Sequence, residues 1–262
     1  MADTIAELLP TSRFSNRVEN YVKYRPHYPE EIVSFLEKTI GLRKNQRIVD
    51  IGSGTGIFSE LFLKNGYSVT GIEPNEAMRK AAEAKLAAYP GFDSRSRQAE
   101  QTGLRSAAVD LITVAQAFHW MEPQQTKKEF LRILKPGGHI LLAWNMRLQH
   151  TPFLRAYEEL KQKFGRDYQK IKEKLNEHEI EKFFAPKIMT THTFPNVQLL
   201  DFESLKGQLL SSSYIPLPGQ PNYENMISEL AELFVANNED GFIRMEYETK
   251  IYINQERLTF KN

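Results

Sequence analysis

One short run constrains this chain more than any other: Asp50-Ile51-Gly52-Ser53-Gly54-Thr55-Gly56, in which glycine recurs at every second position from Gly52. It follows the strand-like Arg47-Ile48-Val49 and precedes Phe58, Leu61 and Phe62 at helical spacing. A strand that turns tightly through three glycines into a helix is a building unit of a parallel α/β sheet. Glycines there accept positive φ and let a ligand approach the main chain closely. Glu73, 17 residues past Gly56, ends the next apolar run and is placed to accept hydrogen bonds from a ribose diol.

The spacing sorts the adenosine ligands. A nicotinamide or flavin dinucleotide site wants Gly-x-Gly-x-x-Gly facing a pyrophosphate. Here the spacing is Gly-x-Gly-x-Gly, and Asp50 stands two residues before the first glycine. A carboxylate beside a pyrophosphate is repelled by about 4 kcal/mol for unit charges at roughly 4 Å in an intermediate dielectric. A ligand with an ammonium and a sulfonium tolerates that carboxylate. No Gly-Lys-Ser/Thr closes the turn, so it is not a Walker loop. The bland alternative is a glycine-rich turn with no ligand.

Repeated β-α units extend over residues 46 to 146. Tyr67 to Glu73 reads as strand two, and Asn75 is placed to cap a helix running through Ala88. Asp93 to Ala99 and Val109 to Ala115 read as strands three and four. Pro123 to Leu134 reads as a helix stopped by the turn Lys135-Pro136-Gly137-Gly138, which launches strand five, His139 to Trp144. Residues 152 to 184 read as charged helix with Phe153, Leu154, Tyr157 and Leu160 on one buried stripe. A strand follows over Thr191 to Phe202, then a proline-rich connection at Pro216 to Pro221 that cannot be helix. Met226, Ile227, Leu230, Leu233 and Phe234 share a helical face, and Met245 to Ile253 alternate with charged residues as in a half-exposed antiparallel strand.

Composition narrows the function classes. With 34 Lys and Arg against 33 Asp and Glu, the formal net charge of +1 argues against a broad nucleic-acid-binding face. There is no apolar run of about 18 residues, hence no expected membrane span. Asp3 and Glu7 near the start, without an apolar region, give no sign of a signal peptide. The chain has no cysteine, which removes disulfides, thiolate nucleophiles and Cys-ligated zinc. His27, His139, His150, His178 and His192 lack metal-ligand spacing, so no metal is expected. A cytoplasmic protein, monomeric or homodimeric, is the default expectation.

The ordered set of Asp50 to Gly56, Gly71-Ile72-Glu73-Pro74-Asn75, Ala115 to Trp120, and Leu134 to Asn145 resembles class I S-adenosylmethionine-dependent methyltransferases. The N-terminal stretch Arg13 to Pro29 makes it similar to the trans-aconitate methyltransferase branch of the methyltransferase type 11 group. The resemblance is strongest over residues 13 to 147 and weaker from Ser211 onward. It implies an α/β, three-layer Rossmann-like fold with a mostly parallel sheet and one antiparallel strand near the C-terminus. It implies one methyltransferase domain over 1–262, with a lid helix at 1–30, a cofactor-binding core at 31–147, a helical insert over the substrate side at 148–190 and completing elements at 191–262. The activity implied is methyl transfer from S-adenosyl-L-methionine to a small-molecule acceptor.

By the same resemblance Asp50, Gly52, Gly54 and Gly56 hold the methionine portion and Glu73 the ribose. Gln98, before Ala99 and Glu100, stands where the family usually has an Asp for the adenine amino group, and its amide oxygen can still accept from an amine. Gln116 offers an amide near the methionine end, and the aromatics after it offer faces for a sulfonium. His119 is the candidate general base, against the alternative of a histidine that only packs. Phe14, Val18, Tyr21 and Val22 share a helical face. The resemblance makes this segment a lid, with Tyr21 against the cofactor and Arg25 free to hold a carboxylate. The lack of cysteine and of an Asn/Asp-Pro-Pro-Tyr/Phe motif argues against nucleobases as acceptors. Two rival readings stay open: a catalytically silent S-adenosylmethionine-binding protein, and a nicotinamide-dependent oxidoreductase.

Overall fold

The computed structural model describes residues 17–166, 168 and 177–255. The expectations for Phe14 and for helix over 169–176 lie outside them. Two compact units divide the chain, each assembled from three stretches. The described residues of Tyr28–Trp144, Asn176–Phe194 and Thr249–Asn262 form a sheet unit. Those of Met1–His27, Asn145–Leu175 and Pro195–Glu248 form a helical unit.

The sheet unit begins with α2 (Glu31–Thr39), after the short α1 (Val18–Tyr24) of the helical unit. Then β1 (Ile48–Ile51), α3 (Ile57–Lys64), β2 (Val69–Ile72), α4 (Glu76–Lys85) and β3 (Phe92–Arg95) alternate. They are followed by β4 (Val109–Ala115), a 3₁₀ turn at Phe118–Trp120, α5 (Pro123–Ile133) and β5 (Leu134–Arg147). The sheet has seven strands in the order β3-β2-β1-β4-β5-β7-β6. The first five pair in parallel, and an antiparallel pair lies near the C-terminus. Here β6 is Ile188–Leu200 and β7 is Ile243–Gln255. Every residue of β1 and β2 is buried, as strands covered by helices on both faces must be. Ile48, Phe58, Phe62, Val69, Leu111 and Leu141 belong to one apolar cluster there.

The strand order reverses between β1 and β4. A parallel α/β sheet opens a crevice at that switch, beyond the strands' carboxyl ends. The glycine turn leaves β1 and Gln116 leaves β4 at that end.

The helical unit holds α1, α6 (Pro152–Phe164), α8 (Phe202–Leu210) and α9 (Tyr223–Asn237). The stripe Phe153, Leu154, Tyr157 and Leu160 is buried as the spacing predicts, against Leu205, Leu209, Met226 and Leu230 among others. Some boundaries differ from those the sequence predicts. Gly165 ends α6, and α7 spans Glu177–Phe184, so 152–184 is not one helix. Lys135 to Gly138 is not a separate turn but an irregularity inside β5, where the register jumps from Val109↔Leu134 to Leu111↔His139. Strand six stops at Leu200 because Asp201 caps a new helix through Ser204 N, 2.8 Å away. Along β7 the alternation holds to Lys250, after which Ile251, Tyr252, Ile253 and Asn254 are all buried. Among the described residues no helix is long and apolar enough to cross a membrane.

Candidate functional site

The three glycines of the turn are glycine for two different reasons. Gly52, Gly54 and Gly56 all have positive φ, at 67°, 55° and 78°. A Cβ on Gly52 would sit 2.5 Å from the Cβ of Ala117, and one on Gly56 2.6 Å from Leu86 Cδ1, so both are demanded by packing. A Cβ on Gly54 would meet nothing within 4 Å. Gly54 therefore faces open space, and that is where a ligand can come against the main chain.

Two carboxylates flank this turn. Glu73, 8% exposed, accepts from Gly54 N at 2.9 Å and from Asn75 N at 2.8 Å, and so locks the turn to the end of β2. Asp50, 1% exposed, accepts from Ser59 Oγ at 2.6 Å and from Thr113 Oγ1 at 2.9 Å, tying β1 to α3 and β4 beneath the turn. Burial pushes the Asp50 carboxyl up to about 6 despite those hydroxyls. Burial also raises Glu73 against its two backbone donors, and the Asp50 charge raises it further. Two buried, mutually repelling carboxylates make this end of the sheet a place for a cation.

Beside Glu73 lies a cavity of about 280 Å³ lined by Pro74, Ser96, Arg97, Gln98 and Gln101. Gln98, exposed, is bridged to Gln101 across a tight turn, and Ala99 is buried behind it. Gln116 holds φ +57°, rare for a residue with a side chain, and its backbone N–H donates to Ala143 O at 2.9 Å. Backbone held in such a sparsely populated region clusters at functional sites. His119 packs on Trp120 with ring centroids 4.7 Å apart. Phe118 is not a ligand-facing ring: it is buried against Phe183, at 4.7 Å between ring centroids, and Trp144.

Asp50, the glycines, Glu73, Gln98, Ala99, Gln116 and His119 thus belong to the sheet unit, whereas Tyr21 and Arg25 belong to the helical unit. There the Arg25 guanidinium carbon lies 4.8 Å from the centre of the Tyr21 ring, and the guanidinium donates to Ser211 O at 3.1 Å. Sequence reasoning missed Ser59, Thr113 and Arg97. A threonine in the middle of the apolar run Val109 to Ala115 was the available signal, since a buried strand hydroxyl needs a partner. Among the described residues no group of three or more His, Asp or Glu is arranged to hold a metal ion.

Comparison with known proteins follows the same lines. Residues 49–142 match the methyltransferase domain family. An uncharacterized methyltransferase of Mycobacterium tuberculosis is 31% identical over 162 residues, 62% of this chain and 63% of its own length. The ubiquinone biosynthesis O-methyltransferase of Pseudomonas aeruginosa is 32% identical over 114 residues, 42% of this chain and 49% of its own length. These matches span less than two thirds of the relatives they touch. A putative type II methyltransferase from Anaeromyxobacter dehalogenans superposes with a TM-score of 0.67 at 19% identity, over 88% of this chain and 97% of that one. A putative methyltransferase of an antibiotic biosynthesis pathway in Anabaena variabilis gives 0.62 at 17% identity, over 89% and 98%.

Proposed function

We propose, from the match of residues 49–142 to the methyltransferase domain family, that the activity of this chain is methyl transfer from S-adenosyl-L-methionine to a small molecule. The observation that carries this reading is the open face of Gly54, held by Glu73 and adjoining the cavity at Pro74 to Gln101. A ribose diol suits the lone pairs left on Glu73, an adenine ring suits the cavity at Gln98, and a methionine portion suits the open glycine turn. The sulfonium supplies an activated methyl group when the donor is bound. What remains for the chain is to bind, orient and exclude water, and orientation of this kind is worth roughly 7 to 11 kcal/mol of barrier.

The charge state of the site favours a cationic donor. A cation near Asp50 and Glu73 lowers both raised pKa values, so binding releases protons and tightens as pH rises toward 7. Gln116, fixed by its backbone bond to Ala143, supplies an amide at the end of β4.

The acceptor in this reading is a small carboxylic acid, methylated on oxygen. A carboxylate is ionised at neutral pH and needs no proton removed before attack. It needs a cation to hold it, and Arg25, whose Nε is buried without a hydrogen-bond partner, can present a planar donor fork. The branch resemblance supports the same choice, and the O-methyltransferase among the relatives supports oxygen as the atom methylated. Calorimetry tests the donor: S-adenosylmethionine and S-adenosylhomocysteine should bind and NAD should not. A screen of pooled acids with labelled donor then tests turnover. With an acceptor in hand, His119→Ala should keep most of its rate while Arg25→Ala loses acceptor affinity. The reverse pattern would sink carboxylate methylation and make His119 the base for a phenol or enolate.

A further inference from the structure

Inside the helical unit, positive charge is gathered where the sequence shows mostly an apolar stripe. Lys161 lies four residues past Tyr157 and seven past Leu154, on the inward face of α6, and is 6% exposed. It pairs with Glu158 at 2.8 Å, and Tyr168 also donates to that carboxylate. Arg147, at the end of β5, lies against Tyr157 and Tyr247, with its guanidinium carbon 4.8 Å and 5.5 Å from their ring centres. It reaches the same Glu158 only at 4.0 Å and Gln208 Oε1 only at 3.4 Å. Arg25 belongs to the same unit and is bonded to Ser211 O.

The account does not balance. Among the described residues, Arg147 and Lys161 face one carboxylate, Glu158, which is already committed to Lys161 and Tyr168, and Arg25 adds its charge beside Tyr157 and Tyr214. The Nε atoms of both Arg25 and Arg147 are buried without a hydrogen-bond partner. Buried charges are ordinarily paired, so an excess held this way implies a partner from outside. Burial opposes ionisation of the nearby Tyr214 hydroxyl, yet Lys161, Arg147 and Arg25 bring its pKa below the usual value. Burial and the Arg147 charge together depress Lys161. Both shifts report a positive potential that the described residues leave uncompensated. Arg147 keeps 17% of its side chain accessible, so a small ligand has a way in.

We propose that Arg147, Lys161 and Arg25, with the hydroxyls of Tyr214 and Tyr247, form a binding site for a small dianion bearing carboxylate or phosphate groups. Two surplus cations call for two negative charges, and guanidinium forks with phenol donors suit planar oxyanions. The site assigns roles to Arg147 and Lys161 that no resemblance suggested. It rests on the methyl-transfer reading only for what becomes of the ligand, since a dianion held here would be the acceptor.

The test is therefore run on the full chain without any methyl donor. Succinate, inorganic phosphate and acetate are titrated by calorimetry at low and matched ionic strength, and melting temperature is followed in parallel. Succinate or phosphate should bind one to one, at least tenfold more tightly than acetate, and raise the melting temperature. The tighter of the two dianions identifies the source of the charge. Arg147→Gln should weaken that binding at least tenfold. Should that variant fail to fold, Arg25→Gln, at the C-terminal end of α1, is read in its place. Absence of dianion binding to the unaltered chain overturns the proposal, as does binding that survives in a folded Arg147→Gln or Arg25→Gln variant. Neither result bears on whether S-adenosylmethionine binds.

Discussion

At the scale of single residues, the turn after β1 separates packing from binding. Gly52→Ala and Gly54→Ala share the strain of a positive φ, about 1 to 2 kcal/mol for a residue with a Cβ. Only Gly52→Ala adds an overlap with Ala117, which costs a further 1 to 3 kcal/mol or so. Denaturant titration should therefore find Gly52→Ala clearly the less stable of the two. Gly54→Val fills the open space instead, so it should stay folded and lose cofactor affinity by about tenfold or more, roughly 1.4 kcal/mol. A Gly54→Val protein that binds normally would contradict the placement of the ligand. Asp50 gives a prediction with a sign. Its carboxyl titrates near 6 in the folded chain and near 4 when unfolded, so between those values the folded state holds more protons. Stability then falls as pH rises from about 4 to 6, leaving a cost of about 3 kcal/mol at pH 7. Asp50→Asn should flatten that part of the pH–stability curve while weakening cofactor binding. A curve of unchanged slope would show that Asp50 is not the group responsible.

At the scale of elements, α1 and α8 meet at a glycine. A Cβ on Gly207 would fall 2.1 Å from the Tyr24 ring, whose backbone carbonyl is held by Gln198 and Gln208 at 3.4 Å each. Helix propensity favours Gly207→Ala by roughly 1 kcal/mol. The overlap with Tyr24 outweighs it, so the substitution should lower the melting temperature rather than raise it. How much of this was legible varies with the element. Strands one, two, four and five are readable because each holds a short apolar run, whereas β3, Phe92-Asp93-Ser94-Arg95, is mostly polar and ends before the expected Ala99. The cap at Asn75 is readable as well: its side chain accepts from Met78 N at 3.0 Å, as expected. Helix α8 is not readable in that way. The apolar run Leu199-Leu200 continues into Phe202, and only Asp201 marks the change from a period of two to helical spacing. The glycine turn and Glu73 are legible because they are local to one turn and one strand end. Arg147 and Lys161 are not, because each looks ordinary alone and their gathering around the one carboxylate of Glu158 is a tertiary fact.

At the scale of the whole molecule, the two units are interleaved in the chain, each built from three separated stretches. The family match at residues 49–142 therefore does not mark a folding unit. The sheet unit needs residues 188–194 of β6 and 249–255 of β7, with β7 lying between β5 and β6. Inside it Asn254 anchors β5 by accepting from Ile140 N at 2.5 Å, and Tyr252 packs on Trp144 at 5.7 Å. Phe183 fills the space beside Phe118 and Phe130. Phe183, Ile251, Tyr252 and Ile253 are all nearly fully buried, and burying each contributes about 1.5 to 3 kcal/mol. Together they supply roughly 6 to 12 kcal/mol, as large as the whole margin of about 5 to 15 kcal/mol by which domains are stable. A fragment of residues 28–144 retains the glycine turn, Glu73 and the strand-four loop yet lacks all four. It should show no cooperative melt by circular dichroism and no binding of S-adenosylmethionine, although every candidate cofactor residue except Tyr21 is present in it. A fragment that melts cooperatively and binds would mean that the first five strands fold unaided.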